Sequence, residues 1–502
     1  MKKHLLPIII LLILALTVSV FMGCAPKTPA APSGGGTQQS SGGTQQSSGG
    51  SASSGGTQQS SGGTQAAPEG KHYVFRVGAT SEAWRPEAVI EAAKRLNKQL
   101  AAEGNPDTVE VEYEVVEDWN SSFTLWSQEN TLPEIVCVKL GMAFKQGMAG
   151  NVVECDYVVN DDVYSAKVPQ NLREMGMVEG KYWGIILDTE TRFVVVNKLA
   201  LIELGWTEEQ IEAWKQEARA GKITTKDLQN LAKQVVDAGI CQYGITHRPN
   251  SGSDWQQTYV TWNHGVVPMN EKGQHIVNRQ NLIDFMTFWR ECVQMGITPY
   301  NHLTDFNWDM LEGDIWPNGK TFCWYAQIAT KSDCTNTGLT GEEFEKNFFS
   351  IPNPVTRLGD KPYAGCSPYM FALTTASQKD EKTAEYVRRI LDNVLDPDIQ
   401  LTISLDHSHI AITDECVATP EYSSDAWMQD QAYITPYMGR YSPSSLKADL
   451  QDMLADSKDF FAALQEAEVT ANDPNARPIE TIVDEMIQKC IFNMGEGNYV
   501  LE

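Results

Sequence analysis

The sequence predicts an α/β protein with at least two lobes, and three observations carry that prediction. The chain has 502 residues, which is too long for one compact core. Runs typical of strands alternate with runs typical of helices, and 42% of the residues are hydrophobic, enough to fill buried cores. The 65 acidic residues outnumber the 39 basic ones, and the net charge of −26 repels phosphate backbones, which disfavours nucleic-acid binding.

Residues 1–23 predict a secretory signal peptide. Two lysines precede an apolar run over residues 5–22. The ending Phe21-Met22-Gly23-Cys24 resembles the lipobox of bacterial lipoproteins, with Phe where Leu is usual. That resemblance implies cleavage before Cys24, a lipid on its sulfur, and anchoring on the extracellular face of the cell membrane. An ordinary N-terminal membrane helix is the open alternative.

Residues 24–70 predict a flexible tether that carries no chemistry. They are almost entirely Ala, Pro, Ser, Gly, Thr and Gln, and the heptad GGTQQSS recurs at 35–41, 42–48 and 55–61. Such a composition cannot bury apolar surface, so it cannot offset the entropy lost on ordering. A flexible coil of this length reaches roughly 35–40 Å.

The motifs for catalysis and for metal binding are missing from the sequence. The nine cysteines after Cys24 show no Cys-x-x-Cys pair and no paired histidine, which favours cysteines packed in the core, with one or two disulfides as the open alternative. No Gly-x-Ser-x-Gly, His-Glu-x-x-His, P-loop or Gly-x-Gly-x-x-Gly sequence occurs, so we predict no catalytic residue and no cofactor. His407 and His409 alternate, but without a fixed third ligand a solvated loop is favoured over a metal site.

The first folded segment predicts a parallel sheet. Residues 72–78 predict a strand, and 86–100 predict a helix with apolar residues at helical spacing. Residues 109–116 alternate as a half-buried strand does, and 135–138 form a continuous apolar run typical of a buried parallel strand. In such sheets ligands bind at the loops beyond the carboxyl ends of the strands, and the loops after the first and last of these strands are two such places.

A second set of elements follows in the same style. Apolar runs and capping residues predict, in order, a strand at 193–196, a helix at 200–204, a helix starting at Thr224 and closed by Gly239, a strand at 241–246, a helix at 282–295 and a mainly helical part at 427–490.

One block of the sequence is Gly180-Lys181-Tyr182-Trp183-Gly184-Ile185, followed by Asn197-Lys198 and Leu204-Gly205-Trp206. This block is similar to a Gly-Lys-x-Tyr-Gly signature and the Tyr-Asn-Lys that follows it in the family 1 extracellular solute-binding proteins, the group of maltose-binding protein. With the order of elements above, it makes the chain resemble that family. Two positions depart from the family, since Val196 replaces the common Tyr and Ile186 stands near a common Pro.

The resemblance covers about residues 70–500 and implies a two-lobed periplasmic-binding-protein-like fold of type II. Each lobe would be a mixed sheet flanked by helices, with a ligand cleft between the lobes. The implied division is 71–187 plus 370–415 for lobe 1, 193–362 plus 420–500 for lobe 2, and hinge crossings near 188–192, 363–369 and 410–420. The implied function is that of a monomer that captures a carbohydrate and delivers it unaltered to the permease subunits of an ABC transporter.

A cleft for sugars needs flat aromatic faces and planar polar groups, so Trp, Tyr, Asp, Glu and Arg in the predicted loops and crossings are the candidates. The predicted ligand-binding residues are Glu82, Trp84, Asp188, Arg192, Asp254, Trp255, Trp324, Tyr325, Tyr369 and Tyr441. Trp84 packing at a helix start and Asp188 in a structural ion pair are open alternatives. Only one of Trp324 and Tyr325 can face a cleft, because strand side chains alternate.

Two other functions stay open at this stage. The same lobes could bind a non-sugar solute such as a polyamine, an anion or a metal complex, or belong to an exported glycan-active enzyme. Carboxylates are too numerous for any Asp/Glu pair to identify a glycosidase from the sequence.

Overall fold

Two main β-sheets organise the chain in its computed structural model. The structure describes residues 70–80, 84–178, 180–189, 191–247, 249, 275–327, 329–362, 364–366, 369–432, 438–440, 458–494, 497 and 499–501. These belong to the unit formed by residues 67–502. The predicted signal peptide, the tether and Cys24 lie outside the described residues.

The strands alternate with helices along most of the chain, as the sequence predicts. The strands are β1 (His72–Ala79), β2 (Thr108–Val115), β3 (Ile135–Val138), β4 (Met177–Val178), β5 (Lys181–Tyr182), β6 (Thr191–Asn197), β7 (Tyr243–Thr246), β8 (His275–Val277), β9 (Thr321–Gln327), β10 (Phe348–Ile351), β11 (Ala364–Cys366), β12 (Met370–Leu373), β13 (Met438–Arg440) and β14 (Tyr499–Leu501).

The α-helices are α1 (Trp84–Ala102), α2 (Trp119–Glu129), α3 (Leu140–Met148), α4 (Asp156–Val159), α5 (Asp162–Lys167), α6 (Gln170–Arg173), α7 (Lys198–Glu203), α8 (Glu208–Arg219), α9 (Thr225–Asp237), α10 (Arg279–Gln294), α11 (His302–Asp305), α12 (Trp308–Met310), α13 (Thr330–Thr335), α14 (Gly341–Asn347), α15 (Glu381–Val394), α16 (Pro397–His407), α17 (Asp414–Val417), α18 (Pro420–Ser424), α19 (Ala426–Ala432), α20 (Lys458–Val469) and α21 (Ile479–Met494). Short 3₁₀ turns at Glu174–Gly176 and Thr375–Gln378 and a π-turn at Leu311–Ile315 complete the helical elements.

The first sheet has the strand order β12-β3-β1-β2. β1 runs parallel to β2 and to β3, whereas β12 runs antiparallel to β3. Helix α1 packs against β2 and against α15, and its buried face carries the apolar residues whose spacing predicts it. One hydrophobic cluster joins side chains of residues 73–187 with those of residues 370–412, so the distant segment completes this core.

The second sheet has the order β13-β11-β6-β9-β7, with β10 also paired to β6. All seven residues of β6 are buried, because both faces of the sheet are covered. Val194 and Val196 enter one hydrophobic cluster, and Phe193 and Val195 enter another on the opposite face. A continuous apolar run is what a strand covered on both faces requires.

The glycines of the signature block serve close packing. Gly180 lies between β4 and β5 with a φ of 80°, in the left-handed region that favours glycine. A Cβ placed on Gly184 would lie 2.7 Å from the sulfur of Met370, and one on Gly176 would lie 2.0 Å from the carbonyl oxygen of Gly184. The block therefore joins the hairpin to β12 at a distance that side chains would not allow.

Three chain segments connect the two sheets and pair with one another. Before β6, Ile185 pairs with Phe371, and after the connection Arg192 pairs with Gly365. Thr189, in the middle of the same segment, pairs with Ile410. These segments fall in the regions where the resemblance implies crossings, and their action as a hinge stays a prediction.

The strands and helices predicted between residues 72 and 295 are confirmed with small shifts at their ends, whereas much of the predicted helical part 427–490 lies outside the described residues. The strand at 135–138 has the predicted bounds, and helix α9 begins with the predicted Thr224 cap, whose Oγ1 accepts a hydrogen bond from the Asp227 N–H at 3.2 Å. Seven cysteines that the structure describes are buried, and no disulfide joins any two of these seven. Of the described helices, none is long and apolar enough to span a membrane.

Candidate functional site

Aromatic and cationic side chains converge where the strands of the first sheet end. Trp84 opens helix α1 shortly after β1, Lys139 follows β3, and Tyr369 directly precedes β12. Because β12 is antiparallel to β3, and β3 is parallel to β1, the start of β12 lies at the same edge as the carboxyl ends of β1 and β3. This is the edge at which open α/β sheets bind ligands.

Cations lie against the two aromatic rings of this cluster. The guanidinium carbon of Arg85 is 4.2 Å from the ring centre of Trp84 and 4.4 Å from that of Tyr369. The ammonium of Lys139 is 3.9 Å from the Tyr369 ring centre. Cation–π contacts of this kind contribute roughly 0.5–2 kcal/mol each, depending on desolvation. They fix the two half-buried rings in place, since Arg85 itself is buried.

The carboxylate of Asp188 ties this cluster to the segments that connect the sheets. Its Oδ1 accepts a hydrogen bond from Nδ1 of His409 at 3.2 Å, and its Oδ2 lies 3.6 Å from Nε of Arg85. The next residue, Thr189, exchanges two backbone hydrogen bonds with Ile410, at 3.3 and 3.2 Å. The Asp188 side chain is only 2% exposed, so the ion pair that the sequence left as the alternative is what the structure shows. Asp188 positions Arg85 and His409.

Two histidines of the third connecting segment contact the indole of Trp84. His407 ends α16, and its ring stacks on Trp84 with centroids 5.1 Å apart; the His409 ring lies 4.4 Å away at an angle of 51°. Ser408 between them has a φ of 55° and ends the helix in the left-handed conformation. This turn lets both imidazoles reach one indole. The expectation of a solvated loop at His407 and His409 is therefore wrong, because His409 is buried and His407 is half-buried.

The local environment keeps His407 neutral near pH 7. Burial lowers the pKa of His407 below its ordinary value, and His409 and Arg85 act in the same direction. Asp406 and Glu87 oppose this shift. The cluster thus offers flat aromatic rings beside N–H donors, which suits polyhydroxyl compounds whose C–H faces pack on rings.

The structure brings together three of the predicted ligand-binding residues, Trp84, Asp188 and Tyr369. Arg192 lies further along the same connection, buried in β6. Trp324 and Tyr325 are corrected, because both are buried in the cores on opposite faces of β9. Trp324 stacks on Trp316 at 5.5 Å, and Tyr325 packs on aromatic residues of α10. The remaining candidates lie outside the described residues: Glu82, Asp254, Trp255 and Tyr441.

Sequence reasoning missed Lys139 and set aside His407 and His409. Lys139 could have been found, since it occupies the loop after β3 that the parallel-sheet rule marks as a ligand-binding place. The contact of the histidines with Trp84 depends on a chain separation of more than 300 residues, and no local pattern shows it.

A second cluster of ionisable groups lies in the other core. His247, directly after β7, shares a hydrogen bond of 3.0 Å between its Nε2 and Oε1 of Glu468, and its ring centre is 3.9 Å from that of His302. Burial lowers the pKa of His302 well below its ordinary value, so this ring stays neutral. The cluster connects β7, α11 and α20 and serves the packing of this core. Within the described part of the chain, no group of three side chains could hold a metal ion.

Known structures share this arrangement of sheets and helices, although no protein-family model and no curated protein matches the sequence. A sugar transporter protein from Arthrobacter chlorophenolicus A6 with bound laminaribiose has a TM-score of 0.61 at 14% identity, over 83% of this chain and 98% of that one. The cyclic alpha-maltosyl-1,6-maltose binding protein from Arthrobacter globiformis has a TM-score of 0.63 at 13% identity, over 84% and 99%. An ABC transporter solute-binding protein from Agrobacterium radiobacter K84, in complex with ribitol, has 0.61 at 14%, over 84% and 98%.

The chain has the fold of the extracellular solute-binding proteins. The predicted fold class, a type II periplasmic-binding-protein-like fold of mixed sheets flanked by helices, is confirmed. Within this solute-binding fold the Trp84 cluster (Trp84, Arg85, Lys139 and Tyr369) lies beside all three segments that connect the two sheets. It contacts them through Asp188, Tyr369 and His409.

A cavity elsewhere in the solute-binding fold is less suited to a ligand. It has a volume of about 560 Å³ and is lined by Lys198, Glu208, Glu209, Ile211, Glu212, Lys215, Glu345, Phe348, Phe349, Ala426, Trp427 and Asp430. Its charges pair with each other, since Lys198 lies 2.7 Å from Glu208 and Lys215 lies 2.5 Å from Asp430. None of these residues belongs to the Trp84 cluster. Because the charges of the cavity are already paired, the Trp84 cluster is the candidate site.

Proposed function

We propose that the protein captures a carbohydrate at the Trp84 cluster and delivers it, chemically unaltered, to the permease subunits of an ABC transporter. The observation that carries the proposal is the meeting of Trp84, Arg85 and Tyr369 with all three connecting segments. A ligand held there touches the loops of the first sheet and the segments through which the second sheet moves. Binding of the ligand and closure of the two lobes on it would thereby depend on the same segments.

The chemistry of the cluster supports a sugar as the ligand. The rings of Trp84 and Tyr369 supply apolar faces, while Arg85 and Lys139 supply N–H donors for hydroxyl oxygens. The solved relatives in fold carry laminaribiose, ribitol and maltose, which are all polyhydroxyl compounds. These relatives are binding proteins, which favours capture over turnover.

The delivery part of the proposal rests on the N-terminal sequence. A lipid on Cys24 would hold the protein at the extracellular face of the membrane, and the tether 24–70 would let the folded part search the nearby space. We take the three connecting segments as the hinge between lobes 71–187 plus 370–415 and 193–362 plus 420–500. The protein would work as a monomer.

Calorimetric titration with laminaribiose, maltose and ribitol tests the proposal. We expect at least one of them, or a longer glucan, to bind and to be recovered unchanged by chromatography. Trp84→Ala and Tyr369→Ala should each weaken binding about tenfold or more through loss of an aromatic face. Trp119→Ala is the matched control, because this half-buried indole of the same lobe packs on Phe123 and Trp126. Binding that Trp84→Ala leaves unchanged, or cleavage of the glycan, contradicts the proposal.

A further inference from the structure

The indole of Trp84 is already stacked by a side chain of the protein itself. The His407 imidazole lies parallel to it, with ring centroids 5.1 Å apart and an angle of 15° between the ring planes. The His409 ring contacts the same indole at 4.4 Å, and the Arg85 guanidinium at 4.2 Å. A sugar ring packs on an aromatic side chain in this same parallel arrangement. His407 therefore occupies a place that a ligand ring would need.

The backbone next to His407 is held in a conformation that few residues other than glycine adopt. Ser408 has a φ of 55° and a ψ of 42°, and it is buried. A left-handed conformation is unfavourable for a residue with a Cβ. Asp188 helps to hold this turn, because it accepts the hydrogen bond from His409 on the far side of Ser408. The stacking of His407 is thus the product of a defined local structure and not of a freely rotating side chain.

We propose that His407 covers Trp84 and must leave the indole before a ligand ring can stack there. This inference rests on the proposed function, since it concerns the same site. His407 then lowers the affinity of the site, because part of the ligand's stacking energy is spent on displacing the imidazole. Half-burial of His407 at the end of α16 gives the side chain room to turn away.

The charged surroundings of His407 give the cover a pH dependence with a definite sign. Arg85 and Glu87 face it from α1, Asp406 and His409 lie beside it in its own segment, and burial is the strongest influence. Burial, His409 and Arg85 outweigh Asp406 and Glu87 and lower the pKa of the stacked imidazole, whereas an imidazole turned into water keeps its ordinary pKa near 6.5. A proton therefore binds better to the displaced form. Lowering the pH through this range favours displacement, and the apparent affinity for the ligand should rise.

Three variants of the full chain separate the cover from other roles. His407→Ala removes the ring, and we expect about three- to tenfold tighter binding at pH 7.5, the equivalent of one aromatic pair. His407→Leu keeps bulk on the indole but cannot titrate, so its affinity should stay near that of the unchanged protein and lose its dependence on pH. His72→Ala, which removes an exposed imidazole of the same lobe, is the control and should change neither property.

Titrations with maltose, maltotriose and laminaribiose at pH 5.5, 6.5 and 7.5 give the affinities, and proton NMR reports the stacking directly. The ring current of Trp84 should move the His407 ring signals upfield, and ligand or Trp84→Ala should abolish this shift. Tighter binding by His407→Ala, including binding seen only in that variant, supports the cover. Equal or weaker binding by His407→Ala, or His407 signals that stay upfield at saturation, overturns it while leaving the proposed function standing. No binding by any variant overturns the proposed function, and the cover with it.

Discussion

Replacing Asp188 by alanine tests whether its buried carboxylate holds the candidate site together. In the unchanged protein this carboxylate lies 3.6 Å from Nε of Arg85 and accepts a 3.2 Å hydrogen bond from His409. The three side chains are 1–5% exposed, so water cannot replace the lost interactions. Removing one partner of a buried ion pair costs about 3–5 kcal/mol. We expect Asp188→Ala to lower the free energy of unfolding by about that amount.

Urea unfolding followed by circular dichroism and tryptophan fluorescence measures this loss. Asp188→Asn keeps an acceptor for His409 but removes the charge, so its midpoint should fall between those of the alanine variant and the unchanged protein. Glu91→Ala is the control, because Glu91 pairs with Lys94 on the surface, where both side chains are more than half exposed and such pairs contribute little. A midpoint shift for Asp188→Ala no larger than that of the control would refute the positioning role.

Two further predictions concern Ser408 and Asp392 and use the same unfolding measurement. Ser408→Gly should raise the free energy of unfolding by about 0.5–1 kcal/mol. Glycine adopts the left-handed φ of 55° without strain, and this gain is larger than the loss from the entropy that glycine adds to the unfolded chain. A decrease in the free energy of unfolding contradicts this prediction. Burial raises the pKa of Asp392 to about 6, although Arg388 lies 2.8 Å away and opposes the shift. The folded state therefore prefers the protonated acid, and it loses stability as the pH rises through about 6. Asp392→Asn should therefore stabilise the protein by about 1–2 kcal/mol at pH 7.5, discounted for partial solvent screening, and should have no effect near pH 4; an equal effect at both pH values contradicts the assignment.

Much of the fold could be predicted because its signals are local. The apolar run at Phe193–Val196 indicates a strand covered on both faces, and the structure buries all of it. The cap at Thr224 indicates where helix α9 begins. The loop rule for parallel sheets also predicts Trp84 at the edge where the carboxyl end of β1 lies, and helix α1 begins there with Trp84.

Prediction failed where the role of a residue depends on side chains from distant parts of the chain that cover it. Trp324 and Tyr325 alternate along β9, which is consistent with one of them facing a cleft, yet helices cover both faces of this sheet and bury both rings. The sequence around Asp188 does not distinguish a carboxylate that binds a ligand from one that pairs with a guanidinium. Its contact with Arg85 spans about a hundred residues of chain, and only the folded structure brings the two together.

The sequence by itself determined the alternation of strands and helices and the place of Trp84 directly after the first strand of the first sheet. Periodicity, capping and turn residues act between neighbours in the chain, so these features could be predicted from the sequence. Only the tertiary structure decided that Arg85 lies between two rings, that Asp188 is a buried ion pair, and that His407 stacks on Trp84. These contacts join segments far apart in sequence, and their geometry follows from how the sheets and connecting segments pack, which no local pattern records.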